Sequence, residues 1–136
     1  MEKQRKRGKE AMMADTLYLP LKKRWFDMIK SGVKLEEYRE IKPYYIRKFI
    51  KFDTLRKDLL EHYQTGFDEG EIVGMEDELR LLSDKLKKVV FTLGYPKADD
   101  ADSRIEFDYP TIRLGEGRTD WGAAPRTKYF VITWRQ

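Results

Sequence analysis

A chain of 136 residues, 40% hydrophobic and 38% charged, is long enough to bury a real core in one domain and polar enough to stay in water. It holds no cysteine, which excludes disulfides, thiolate zinc sites and cysteine nucleophiles. The formal charge of +4 sits mostly in a tail: residues 2–10 carry five bases and two acids, a net of +3, and everything beyond nets +1. The body is therefore not a strongly basic nucleic-acid surface, although a local patch stays open.

Residues 1–15 read as a basic disordered tail, polar and without apolar periodicity, able to add salt-sensitive phosphate affinity. Met12 and Met13 also allow a translation start behind most of it. No secretory apolar region follows the basic start, and no apolar run approaches the roughly eighteen residues of a membrane span, so cytoplasm is the expected compartment. Thr16 to Leu19 reads as a short strand stopped by Pro20. Leu21, Trp25, Met28 and Ile29 recur at helical spacing, and Gly32 closes that helix as a left-handed stop. Residues 34–41 read as the second strand. Pro43 suits the first turn of a helix, where Tyr45, Ile46, Phe49 and Ile50 form an apolar stripe that Leu55, Leu59 and Tyr63 extend less regularly. Thr65 to Glu71, with Gly66 and Gly70, reads as a loop. Met75, Leu79, Leu82 and Leu86 mark a further helix. Residues 50–88 are thus a largely helical insertion.

From Val89 the period becomes two. Val89, Phe91, Leu93 and Tyr95 alternate up to Pro96, and residues 97–103 form a polar loop. Ile105, Phe107 and Tyr109 alternate with charges until Pro110 interrupts, and Ile112 and Leu114 resume until Gly115. Tyr129 to Trp134 is apolar on both faces, as in a strand held inside a sheet. The fold class is α+β, and a small curved barrel is the economical packing.

The chemistry concentrates in Gly32-Val33-Lys34-Leu35-Glu36-Glu37-Tyr38-Arg39. Glu37 and Arg39 are two apart, so an extended chain points both to one face, together with Leu35. Lys34 is one residue out of phase and joins them only from a turn or bulge. From spacing alone, a surface ion-pair ladder is the plainer reading.

Gly32, Lys34, Glu37 and Arg39 match the G-x-K-x-x-E-x-R pattern of the ASCH domain family, small β-barrels related to PUA domains, and the chain resembles that family over about residues 16–49 and 89–135. Leu17 to Ile29 looks like its first strand and helix, and Lys42-Pro43-Tyr44-Tyr45 and Val90 to Tyr95 resemble later segments of one branch. The resemblance implies a single PUA-like β-barrel over residues 16–136, with a helix after the first strand and a helical insertion. It also implies ligand contact by Lys34, Glu37 and Arg39 in a cleft, with RNA or a nucleotide-like molecule as partner. Arg39 would clamp a phosphate or base edge, and Glu37 would accept from an exocyclic amine. One branch resembles an amidohydrolase that removes acyl groups from the N4 amine of cytidine, using a lysine and a threonine three residues later. Lys34 matches that lysine, but Glu37 stands at the threonine position. The alternative is accordingly a metal-independent hydrolase of a modified nucleoside or of RNA, with Lys34 as base and Glu37 positioning water.

Tyr95, Tyr44, Tyr45 and Trp121 are the aromatic residues best placed near loops for stacking on a base. Tyr95 leads because Gly94 precedes it, where a missing side chain lets a ligand approach the backbone. Turn chemistry accounts for Gly115-Glu116-Gly117-Arg118, which lacks the third glycine of a dinucleotide fingerprint. Asp99, Asp100 and Asp102 lack the glycine and terminal glutamate of a calcium loop. His62 is the single histidine and supports neither a zinc site nor a Ser-His-Asp set. The reading calls for no cofactor and no metal.

Overall fold

The computed structural model describes residues 12, 13 and 15–135, so the basic stretch at 2–10 lies outside the described residues. Among these the chain forms β1 (Met12–Met13), β2 (Thr16–Leu21), α1 (Lys23–Lys30), β3 (Glu37–Glu40), α2 (Pro43–Phe49), α3 (Asp53–His62), α4 (Glu69–Lys85), β4 (Lys88–Leu93), β5 (Arg104–Glu116) and β6 (Lys128–Arg135). The class is α+β, as expected. The strand order is β1-β2-β4-β5-β6-β3. β2 and β4 run parallel, whereas β1–β2, β4–β5 and β3–β6 are antiparallel. The order ends at β1 and β3 without returning on itself, so among the described residues the sheet is mixed and open. Met12 and Met13, assigned from sequence to the tail, instead pair with Leu17 and Thr16; they are apolar, unlike the charged residues before them.

The chain divides into two compact units. The first comprises residues up to Leu35, Lys85–Pro110 and residues from Thr133 on; the second comprises Glu36–Asp84 and Thr111–Ile132.

In the first unit, Leu17, Leu19 and Leu21 are buried with partly covered residues between them, the period of two that a strand demands. Leu17 and Leu19 pair with Val89 and Phe91 of β4, where Val89 to Thr92 are all buried, as in a strand covered on both faces. The strand runs through Pro20 rather than stopping there. Leu21 accepts a hydrogen bond from the Gly94 N–H at 3.0 Å, on the β4 side. Pro20 is one residue out of phase, so its missing donor faces away from β4 and costs no hydrogen bond to that strand. Phe26 and Ile29 are the buried face of α1. Its end is a Schellman turn: Val33 N–H donates to Met28 O and Gly32 N–H to Ile29 O, at 3.0 and 3.1 Å, around Gly32 at φ 84°. Only glycine takes that conformation without steric cost.

Strand β5 continues past Pro110 for a specific reason. Ile105 and Phe107 point inward while Glu106 and Asp108 are exposed, yet Pro110 and Ile112 are buried and Thr111 and Arg113 exposed. The inward phase switches from odd to even numbers. Tyr109, at the switch, is left-handed at φ 49° and donates its N–H to Lys87 O at 2.8 Å. One extra residue is accommodated there as a bulge, which also tolerates the proline.

In the second unit the expected helical insertion is present. Pro43 stands in the first turn of α2, and Ile46, Phe49, Ile50, Leu59, Met75 and Leu79 are fully buried. Each such side chain is worth about 1.5–3 kcal/mol. Helices α3 and α4 approach closely at Gly74, where an added Cβ would lie 3.1 Å from the Leu55 methyls. The expected loop over 65–71 is cut short at Glu69 by a capping box: Asp68 Oδ1 accepts from Glu71 N–H at 2.7 Å, and Glu71 Oε1 accepts from Asp68 N–H at 3.0 Å. In β6, Phe130, Val131 and Ile132 are fully buried, as their two-sided apolar pattern predicts.

Candidate functional site

Strand β3 alternates in burial, with Glu37 and Arg39 covered and Glu40 exposed. The expectation that Glu37 and Arg39 share a face is met, but the face is interior: they are 6% and 9% exposed. They pair across β6 with Ile132 and Phe130. A buried guanidinium needs partners for its donors. Arg39 Nε and Nη2 both reach Glu37 Oε2, at 2.9 and 2.7 Å, and Nη1 donates to the Tyr45 hydroxyl at 2.7 Å. This is an enclosed ion pair rather than a surface ladder.

Helix α2 brings two tyrosines to this pair. Tyr44 and Tyr45 meet edge-to-face with centroids 4.9 Å apart, and Tyr45 stacks on Phe49 at 5.8 Å. Three cations flank the rings. The Arg39 guanidinium lies 5.6 Å and the Lys42 ammonium 6.0 Å from the Tyr45 centroid, and the Lys48 ammonium lies 5.9 Å from that of Tyr44. Tyr44 and Lys48 are four apart and so share one helical face, and Tyr44 is 58% exposed. Burial, then the charges of Arg39 and Lys51, lower the Lys48 amine to about 8. Lys51 is lowered as well, by burial and then Arg56, against the opposing pull of Glu78.

The other two residues singled out from sequence belong to the first unit. Lys34 lies outside the regular strand, which begins at Glu37 rather than at residue 34. It is 1% exposed, its N–H joins Met28 O at 3.0 Å in the turn that ends α1, and its ammonium stands 4.9 Å from the Trp25 ring centroid. Tyr95 is 93% exposed, behind Gly94 at φ 60°. Trp121 is buried under the Arg118 guanidinium, 4.3 Å from its ring centroid. Its loop is anchored where Arg118 N–H donates to the Tyr38 hydroxyl at 3.0 Å, which in turn donates to Glu36 at 2.8 Å. Burial first, with the Glu36 carboxylate adding to it, raises the Tyr38 phenol to about 12 and keeps it protonated. His62 Nδ1 lies 2.9 Å from Glu71. Among the described residues no group of three or more His, Asp or Glu side chains is placed to hold a metal, and no helix is long and apolar enough to cross a membrane.

Lys42 and Lys48 were not identified from sequence as site residues. The signal lay in local charge: residues 37–51 carry five bases against two acids, a net of +3, while the rest of the chain beyond residue 10 nets −2. The average over the body conceals that stretch. Comparison with family models, with curated proteins and with solved structures finds no match.

Proposed function

We propose that this protein binds RNA or a modified nucleotide. The observation that carries the reading is the exposed Tyr44 beside Tyr45, flanked by Arg39, Lys42 and Lys48 over the enclosed Glu37–Arg39 pair. Aromatic faces take bases, at about 1–3 kcal/mol per stacked base, and neighbouring cations take phosphate. An enclosed ion pair adds little stability over well-packed apolar residues, so its place in the interior fits a recognition role. The family resemblance supports the same reading by assigning ligand contact to Lys34, Glu37 and Arg39. The PUA-like barrel belongs to the same proposal. Titrating isotope-labelled protein with a short single-stranded RNA tests it. Saturable amide shifts at Arg39, Tyr44, Tyr45 and Lys48 are expected, and shifts confined to residues 2–10 would reduce the interaction to a basic tail.

A second reading, a hydrolase of an N4-acylcytidine-type nucleoside or of RNA, draws on the match of Lys34 to the family's lysine and on the lowered amine of Lys48. Glu37 already accepts two donors from Arg39, which weakens it as a water-positioning base and ranks this reading second. Incubation with N4-acetylcytidine should leave the acyl group in place. Turnover abolished by Lys34→Ala in a folded protein would reverse the ranking.

A further inference from the structure

We propose that the edge of β5, where it runs beside α4, takes an extended basic peptide as an added strand. A cleft of about 510 Å³ lies between α4 and the second half of β5, a size usual for binding sites. It shares no lining residue with the tyrosine–cation face, so the proposal goes beyond the nucleotide-binding reading. On the strand the cleft is lined by Thr111 and Arg113, which point outward, and by Ile112 and Leu114, which point inward. Residues of both faces line one cleft when it runs along the strand's edge, with the backbone between them. Pairing with β4 ends at Asp108. Beyond the bulge, the Ile112 N–H instead meets the Ser83 hydroxyl of α4 at 2.9 Å, and that hydroxyl donates to Leu79 O at 2.8 Å. One side chain thus stands in for a neighbouring strand at a single residue. Alternation directs the Leu114 N–H and C=O to the same side as those of Ile112, towards the cleft that Leu114 lines. A strand edge facing a cleft is a template for a further strand.

Charge selects the occupant. On the helical wall Glu76, Arg80 and Asp84 are four apart and share a face. Arg80 is held by Asp77 at 2.6 Å and Arg113 by Glu36 at 3.1 Å, whereas no ion pair among the described residues uses Glu76 or Asp84. Those two carboxylates are separated by about 12 Å of helix rise. Side chains at i and i+4 of an extended chain are about 13 Å apart. A strand with lysines at those two positions matches both.

Titration of the isotope-labelled full chain with the peptide acetyl-Lys-Val-Glu-Val-Lys-amide, followed by NMR, tests the inference. Saturable amide shifts at Leu114, Glu76, Arg80 and Asp84 are expected. The charge-reversed peptide acetyl-Glu-Val-Lys-Val-Glu-amide should bind about tenfold more weakly. The variant Glu76→Lys/Asp84→Lys, altered at two exposed positions, should exchange that preference. Alternate amides of a strand face opposite sides, so N-methylation of the two valines and N-methylation of the central glutamate should differ, one abolishing binding and the other sparing it. Equal effects of the two methylations would overturn strand addition. Equal affinity for the two charge patterns would overturn the match to Glu76 and Asp84. An unmoved Leu114 amide would remove the site, and dilution-dependent broadening at Leu114 without peptide would give the edge to a second copy of this chain and overturn the proposal.

Discussion

Each unit contains an aromatic stack, and the two end differently. In the first, Phe107 lies parallel to Trp134 at 5.0 Å and Phe91 meets Trp134 edge-on at 5.0 Å. In the second, Phe130, Phe49, Tyr45 and Tyr44 follow one another at 5.1, 5.8 and 4.9 Å. The contact geometry is of one kind, worth about 0.5–1.5 kcal/mol per pair beyond burial. In the first stack Phe91 and Trp134 are buried and Phe107 is partly covered. The second leads from a fully buried phenylalanine to a hydroxyl on Arg39 and a half-exposed ring beside Lys48. Aromatic content alone therefore does not mark a site; the place where a stack emerges among cations does.

The sharpest way to break this contrast is to remove one member of each stack. Trp134→Ala should cost about 4 kcal/mol in denaturant unfolding, by the cavity it leaves, with nucleotide affinity of the folded fraction unchanged. Tyr44→Ala should do the reverse: stability within about 0.5 kcal/mol and loss of the stacking contribution. Next in size is the enclosed pair. Arg39→Met should cost about 3 kcal/mol, because Glu37 is left as a buried charge without its guanidinium. The double variant Glu37→Met/Arg39→Met should be more stable than Arg39→Met alone, yet bind no better. A double variant less stable than either single one would make the pair a stabilising element and weaken its recognition role.

Smaller effects come from titration. Lys48 has a folded value of about 8 against an ordinary 10.5. Between those values the unfolded chain binds the proton and the folded protein does not, so stability rises with pH across that window. Lys48→Met should flatten that rise by an amount on the order of 3 kcal/mol, read as the difference between the two pH profiles. A phosphate ligand would favour the charged amine and shift the window upward. The smallest effect belongs to His62, whose ring is raised above 6.5 by the hydrogen bond and charge of Glu71. Its contribution is fully present below about 6.5 and is lost as pH rises through the raised value. The thermal midpoint of wild type should fall relative to His62→Gln over that range, and an NMR titration of the ring should place its midpoint above the ordinary value.

The features legible in sequence were those with one physical solution. Gly32 ends α1 because few other residues tolerate its φ, Pro43 opens α2, and Tyr129 to Trp134 could only be covered on both faces. The inward phase of Glu37 and Arg39 followed from alternation, but their burial did not, since spacing carries no information about what lies against a strand. Pro20 was read as a stop because a proline's effect depends on which side of the strand its missing donor faces, and Pro110 as an interruption because the bulge at Tyr109 that carries the strand through it shifts the alternation just as a break between two strands would. Lys42 and Lys48 escaped notice because a lysine's role is set by its neighbours, and the neighbours of Lys48 include a residue on another element, Arg39.

The left-handed Tyr109 has a consequence for how this chain tolerates change. Up to Phe107 the odd-numbered residues of β5 face inward, and from Pro110 the even-numbered ones do. The extra residue at the bulge acts as a phase insulator. A one-residue deletion there would turn Ile112 and Leu114 outward and Thr111 and Arg113 inward, so length at this point is constrained more tightly than residue identity. A Tyr109→Gly substitution would keep the count and ease the backbone, whereas removal of the residue would invert an entire half-strand.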